Sequence, residues 1–210
     1  MKTDPNHLIY QFTVTLEEIE PAIWRRLQVP ATYSFWDLHV ALQDVMGWLD
    51  YHLHAFRMRR PHKQRMIEIG IPDDEASDHE VMPGWNIPIR DYFTEPGQTA
   101  LYAYDFGDGW KHEVLLEGIV LKEKGVKYPR CMAGERACPP EDCGSIPGYY
   151  RVVDILRHPS DDAYQETIDW LKGHAKNYDP YDPDAFDPGH VHFDNPKKRW
   201  RLAFSETGDP

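Results

Sequence analysis

The chain has 210 residues, of which 41% are hydrophobic and 28% are charged, a balance typical of a globular protein and not of a disordered one. Its formal net charge of −12 argues against a protein that coats a nucleic-acid backbone. The longest apolar run spans residues 100–104, which argues against a membrane-spanning helix, and the N-terminus lacks the apolar stretch of a signal peptide. Three cysteines favour a reducing cytoplasm over a secreted disulfide framework.

The first predicted elements are a hairpin and a helix. Apolar and polar residues alternate over 10–16, which predicts a half-buried strand, and residues 23–29 form its return partner. Ser34 followed by Asp37 predicts the start of a helix, and Gly47 predicts its end. The stripe that packs this helix on the sheet has helical spacing and comprises Leu38, Ala41, Leu42 and Val45.

A third strand is predicted over residues 51–58, with His52 and His54 on the same face. A fourth strand is predicted over 66–71 and an acidic loop over 72–88. A basic run lies between the two strands and consists of Arg57, Arg59, Arg60, Lys63 and Arg65.

A second hairpin is predicted from strands at 98–106 and 110–121. The pair Asp108-Gly109 is typical of a two-residue type I′ turn, which makes paired residue numbers sum to 217. This register places Asp105 opposite His112 on an otherwise apolar face. A carboxylate that accepts from an imidazole would fix the tautomer of that ring.

The rest of the chain is predicted to be a loop over 123–149, helices over 150–157 and 162–174, and an Asp/Pro-rich tail. Strands dominate the first half and helices the last third. The expected fold is therefore α+β, with antiparallel hairpins forming a sheet packed by helices, in one domain over 1–210 with a tail at 188–210.

Several segments together resemble one known family. They are PAIWRR at 21–26, LH at 38–39, GW at 47–48, HLHAF at 52–56, YDFGDGWKH at 104–112, CPPEDCG at 138–144 and GY at 148–149. In this order they are similar to the plasmid pRiA4b ORF-3-like family over about residues 8–187. The family pattern commonly has Gly-Gly where this chain has Gly144-Ser145, and often Val at the position of Cys143.

The resemblance implies an α+β domain of mobile-element origin with no established catalysis. Members are often given a resolvase-type label. A serine recombinase needs an early nucleophilic serine in an Arg-rich site and a helix-turn-helix tail, and this sequence shows neither.

The predicted loop holds three cysteines that are candidate zinc ligands. Cys131, Cys138 and Cys143 have the spacing C-x6-C-x4-C, and His52 could complete a tetrahedral set. Structural zinc sites usually have closer cysteine pairs. The alternative interpretation is a loop held by its prolines and glycines, with the thiols acting as small hydrophobic groups.

A second candidate site is a pocket beside the second hairpin. We expect it to be lined by His54, Asp105, Trp110, His112 and the adjacent pair Glu141 and Asp142. Each of these residues also has a structural interpretation: a packed histidine, a hairpin-end pair or a turn cap.

Three functions follow as hypotheses. The first is a cytoplasmic binding or accessory module whose Trp and Tyr side chains on the hairpin faces meet a protein partner. The second is a metal-dependent enzyme built on the His, Asp and Cys residues above. The third is weak nucleic-acid binding through the basic run at 57–65 and a second run at 197–201 that contains Trp200, since the net charge opposes tight binding.

Overall fold

The computed structural model describes residues 4–60, 65–72 and 81–204 of the chain. Its centre is one eight-stranded sheet. The strands are β1 Leu8–Leu16, β2 Trp24–Pro30, β3 His54–Arg59, β4 Met66–Gly70, β5 Val81–Pro83, β6 Thr99–Tyr104, β7 Trp110–Leu121 and β8 Arg130–Glu135. They lie in the order β5-β4-β3-β6-β7-β1-β2-β8, and every neighbouring pair is antiparallel except β4 and β5, which are parallel.

Four α-helices accompany the sheet in the part of the chain that the structure describes. They are α1 Phe35–Met46, α2 Ser145–Arg157, α3 Tyr164–Gly173 and α4 Pro196–Phe204. Short 3-10 turns occupy Pro5–His7, Gly84–Asn86, Ile89–Asp91 and Pro188–His190. The α+β prediction is confirmed.

Local signals correctly predicted α1. The Ser34 side chain accepts from the Asp37 backbone N–H, the Asp37 carboxylate accepts from the Ser34 N–H, and Gly47 ends the helix with φ of 79°. The four residues of the predicted stripe are all buried. This helix packs across one face of the sheet and brings its C-terminal end to the region described below.

Four of the five Trp and Tyr side chains on the two hairpins do not form the predicted partner surface, and the fifth, Trp24, is half-buried. Tyr10, Tyr102, Tyr104 and Trp110 are all buried in the core under α1, so they cannot meet a partner. The face of the sheet that α1 covers takes most of the large aromatic side chains, because burial of apolar area is the main stabilising contribution of such residues.

The predicted register of the second hairpin is wrong. Tyr104 pairs with Trp110 and Tyr102 with His112, so paired residue numbers sum to 214 and the connection is five residues long. Asp105 adopts φ of 52° and its backbone N–H donates to the Leu53 carbonyl, so β6 ends at Tyr104, two residues before the predicted end at 106. Asp105 and His112 are therefore not cross-strand neighbours.

The predicted loop at 123–149 contains an edge strand and a helix start. Strand β8 pairs with β2, and α2 begins at Ser145 rather than at residue 150. Gly144, with φ of 88°, precedes the helix, and Pro147 lies in its first turn, where a missing N–H costs nothing. Helix α4 was not predicted, because residues 196–204 read as a basic run.

Among the residues that the structure describes, no helix is long and apolar enough to cross a membrane. Lys63 of the basic run and residues 73–80 of the acidic loop lie outside the described residues.

Candidate metal-binding site

The connection between β6 and β7 fixes the carboxylate of Asp105. Its Oδ1 accepts hydrogen bonds from the backbone N–H groups of Gly107 (3.0 Å) and Asp108 (3.2 Å). These bonds close a local turn of the kind that Asp side chains favour, and they leave Oδ2 available. The turn therefore presents one carboxylate oxygen in a defined direction.

His52 lies in the segment just before β3 and faces this carboxylate. Its Nε2 is 3.6 Å from Oδ2 of Asp105. The backbone hydrogen bond from Asp105 to Leu53 joins the two segments directly. His52 retains about a third of its side-chain exposure, so solvent and solutes can reach its ring.

Asp142 comes from the CPPED segment and completes the group. Its Oδ1 is 2.9 Å from Nε2 of His52, and its backbone adopts φ of 58°. The Gly144 N–H donates to Oδ2 of Asp108 at 3.2 Å, which fastens the Asp142 loop to the Asp105 loop. Three separate segments of the chain thus meet at one point.

The geometry of these three side chains suits a metal ion. One ligand atom from each of His52, Asp105 and Asp142 lies within 4.8 Å of the other two. Around a tetrahedral zinc ion with bonds of about 2.0–2.1 Å, ligand atoms stand about 3.3 Å apart. The distances of 2.9 and 3.6 Å bracket that separation.

His174, at the end of α3, lies near Asp142. Its Nε2 is 3.9 Å from Oδ2 of Asp142, while its Nδ1 accepts from the Lys176 backbone N–H at 3.2 Å. Because Nδ1 accepts, the proton of a neutral ring is on Nε2 and faces the carboxylate. At 3.9 Å the two groups are within ion-pair distance but beyond hydrogen-bond distance, so His174 is a neighbour of the cluster and not a member of it.

Glu141, next to Asp142 in the chain, has a different environment. It is buried, its Oε1 accepts from the Tyr104 hydroxyl, and its Oε2 accepts from the Leu49 N–H at 2.7 Å. Burial, and then the hydrogen bond to Glu141, raise the pKa of Tyr104 well above its usual value. Glu141 therefore anchors the loop in the core and does not line an open pocket.

The histidines and tryptophan predicted to line the pocket are also buried in the core. His54, His112 and Trp110 are at most 3% exposed, which corrects the prediction that they line a concave surface. The Nδ1 of His112 contacts the Tyr102 carbonyl, and the ring of His54 stacks on that of His39 at 3.4 Å.

Burial keeps both of these histidines neutral. It lowers the pKa of His112 to about 4, although the Tyr102 carbonyl opposes the shift. Burial, and then the nearby His39, hold the pKa of His54 well below its usual range. Neither ring can exchange protons with a solute, so both serve packing.

The cysteines do not gather into the predicted zinc set. Within residues 4–60, 65–72 and 81–204, the only grouped ligands are those of the carboxylate–histidine cluster, and His52 belongs to it without any thiol. Cys131, Cys138 and Cys143 are unpaired, and burial raises the pKa of Cys138 to about 12. Protonated thiols are poor metal ligands, and Cys138 packs as a small hydrophobic group.

Sequence reasoning missed several residues that organise this region. Asp108 was treated only as a turn former, and His174 carried no signal because its partner is 32 positions earlier in the chain. Arg25 was also missed, although its place between Ile23 and Leu27 in the alternation assigns it to the buried face. Its guanidinium donates to carbonyls that include Val45 and Glu135, which joins α1 to the sheet edge.

A groove begins at Asp142 and runs between α2 and α3. Its volume is about 420 Å³, within the range of small-molecule pockets. Arg151, Glu166 and Trp170 line it together with Cys143. The groove places charged and aromatic groups beside the carboxylate–histidine cluster.

Comparison with known proteins agrees with this arrangement of segments. The sequence model of the plasmid pRiA4b ORF-3-like protein family matches residues 8–190. Uncharacterized protein y4hQ of Sinorhizobium fredii is 33% identical over 163 residues, which cover 77% of this chain and 80% of that protein.

A solved structure is similar as well. The crystal structure of the protein of unknown function MM3350 from Methanosarcina mazei Go1 has 40% sequence identity and a TM-score of 0.79, and the match covers 89% of this chain and 99% of that one. The names of these relatives state no catalytic activity, and the similarity to them establishes no catalytic activity for this chain. On the extent of the family match, the chain belongs to the plasmid pRiA4b ORF-3-like family.

Proposed function

We propose that this protein binds a divalent metal ion through His52, Asp105 and Asp142 and presents that ion to a small ligand in the adjoining groove. The observation that carries the proposal is the meeting of one imidazole nitrogen and two carboxylate oxygens within 4.8 Å from three separate segments. Asp105 and Asp142 both have positive φ, of 52° and 58°, a backbone region that Asp adopts more readily than most residues other than Gly.

The chemistry of the ligands favours zinc, with manganese as the next candidate. Imidazole suits zinc, and carboxylate suits both ions. Three protein ligands leave at least one coordination position for water or a substrate oxygen, the arrangement of catalytic rather than structural zinc. An ion held in this way polarises a bound oxygen and lowers the pKa of a bound water.

Titration of the purified, chelator-treated protein with zinc and with manganese tests the proposal. We expect one site per chain by calorimetry, and a loss of affinity of more than about a hundredfold in His52→Ala, Asp105→Asn and Asp142→Asn. His158→Ala is a matched control, because His158 also faces a carboxylate, Asp154, but belongs to no ligand group.

The proposal fails if the wild-type protein binds neither ion at millimolar concentration, or if the His52 and His158 variants behave alike. Circular dichroism of each variant separates a lost ligand from a lost fold. Turnover assays come next. Product release from a hydrolysable substrate, if it requires both the metal and an intact groove, would extend the proposal from metal binding to catalysis.

A protein partner is the second candidate, and one observation favours it. Tyr51, Leu53 and Phe106 are 59%, 44% and 55% exposed, and all three adjoin the ligands His52 and Asp105 in the chain. Large apolar groups gathered at one place on a surface often mark a contact site. We propose that this apolar rim, formed by Tyr51, Leu53 and Phe106, contacts another protein. The free thiols favour the cytoplasm as the place of this contact.

A photo-crosslinking amino acid at position 51 tests the rim, with the same label at Leu121 as a control that is 67% exposed on β7. We expect one defined protein adduct from position 51 that Phe106→Ser abolishes. Equal labelling from both positions would contradict the contact.

A further inference from the structure

A second cavity lies at the contact between α1 and α4. Its volume is about 580 Å³, large enough for a ligand of nucleotide size. Three indoles line it: Trp36, which is buried, and Trp85 and Trp200, which are half-buried with ring centroids 4.6 Å apart. The site is therefore unusually rich in aromatic surface.

Helix α4 is held firmly against α1, so the cavity has defined walls. The indole N–H of Trp36 donates to the Pro196 carbonyl at 3.1 Å, and the rings of Trp36 and Trp200 meet edge to face at 5.2 Å. Arg199 adds ion pairs with Asp44 of α1 and with Asp50. These contacts hold the α4 residues that line the cavity, Lys197, Trp200 and Arg201, in position.

Three cations surround the same cavity. Arg90, Lys197 and Arg201 all line it, and among the described residues no carboxylate lies within ion-pair distance of Lys197 or Arg201. Arg90 has only a 4.0 Å contact with its neighbour Asp91. The single acid in the lining, Asp37, accepts the Ser34 N–H of the helix cap. The cavity is thus locally positive on a chain of net charge −12.

We infer that this cavity binds a nucleotide, with the base against the indoles and the phosphate on the cations. Bases stack on aromatic side chains with little regard for sequence, and Arg and Lys side chains pair with phosphate oxygens. The two parts of such a ligand match the two kinds of group that line the cavity. The ligand is either a free nucleotide or one nucleotide of a single strand, and both share this chemistry.

Calorimetry of the full chain with adenosine 5′-monophosphate, adenosine, inorganic phosphate and a single-stranded oligo-dT tests the inference. We expect the mononucleotide to bind more tightly than either adenosine or phosphate, because each half engages only one kind of group. If the Kd of oligo-dT is lower than that of the mononucleotide by about tenfold or more, the site is assigned to single strands. If oligo-dT binds as well as the mononucleotide or more weakly, the site is assigned to free nucleotides.

The double variant Lys197→Ala/Arg201→Ala removes exposed cations and leaves the packing of Trp200 unchanged. We expect it to weaken mononucleotide binding by about tenfold or more and to make that binding less sensitive to salt, because salt screens the attraction between the cations and the phosphate. Lys198→Ala is the matched control, since Lys198 is exposed on the same helix but does not line the cavity.

Trp85→Leu tests the stacking half separately and should weaken binding by about tenfold while the sensitivity to salt stays unchanged. Absence of mononucleotide and oligonucleotide binding at millimolar concentration would overturn the inference. So would equal affinity in the double variant and in Lys198→Ala.

Discussion

Two pairs of residues that are close in the chain lie in different environments. One member of each pair belongs to the open carboxylate–histidine cluster, and the other lies in the buried layer beside that cluster. His52 and Asp142 belong to the solvent-accessible carboxylate–histidine cluster, whereas His54 and Glu141, one or two positions away, are buried. In the buried layer, Glu141 is held by hydrogen bonds from Tyr104 and Leu49, and the His54 ring is stacked on that of His39. The comparison teaches that residue type indicates possible chemistry, while burial decides whether a side chain can perform it.

The buried carboxylate should give the largest effect on stability. Glu141→Ala leaves the Tyr104 hydroxyl and the Leu49 N–H without a partner in the core, so we expect the free energy of unfolding to fall by about 4 kcal/mol. Urea denaturation measures it. Asp142→Asn, one residue further, should change stability by less than about 1 kcal/mol, and a cost as large as that of Glu141→Ala would erase the distinction.

The buried histidines should make the fold sensitive to acid. The pKa of His112 is about 4 in the folded protein and about 6.5 in the unfolded chain, so the unfolded state binds more protons between these values. Stability is therefore complete above about pH 6.5, and up to about 3 kcal/mol is lost as the pH falls to 4.

Denaturation across this pH range tests the assignment to His112. The variant His112→Gln cannot titrate, and its stability should depend less steeply on pH than that of the wild type. Parallel pH profiles for wild type and His112→Gln would contradict the assignment.

The two histidines of the His-x-His pair should separate stability from binding. His54→Ala removes a buried ring stacked on His39 and should cost about 2 to 3 kcal/mol of unfolding free energy. His52→Ala should cost less than about 1 kcal/mol but abolish metal binding. Thermal melts with and without zinc measure both quantities. A zinc-induced rise in Tm that persists in His52→Ala would remove His52 from the ligand set.

The smallest expected effect concerns the bond between the two ligand loops. Asp108→Ala removes the acceptor of the Gly144 N–H, which should loosen Asp142 relative to Asp105 and weaken metal binding by about tenfold, or 1.4 kcal/mol. Calorimetric titration with zinc measures the change. Unchanged affinity would show that the ligand loops hold their positions without this bond.

Much of the fold follows from local patterns in the sequence. The capping residues around α1 and the alternation in β1 and β2 depend on neighbours a few positions away, and both predictions are confirmed. The second hairpin shows where local rules compete. Asp108-Gly109 is a strong signal for a two-residue turn. A longer turn forms instead, because the Asp105 side chain accepts from the Gly107 N–H and the Asp105 backbone N–H donates to the Leu53 carbonyl.

The candidate site follows from the sequence only in part. The sequence by itself determined that α1 begins after Ser34 and ends at Gly47, because capping energies act within one turn. The sequence also indicated Asp105 and Asp142 as candidate site residues. Tertiary structure alone decided that His52 rather than His54 joins them, since the two histidines differ in burial and not in type. That choice depends on contacts across about 90 residues of chain, such as His52 with Asp142, which no local pattern encodes.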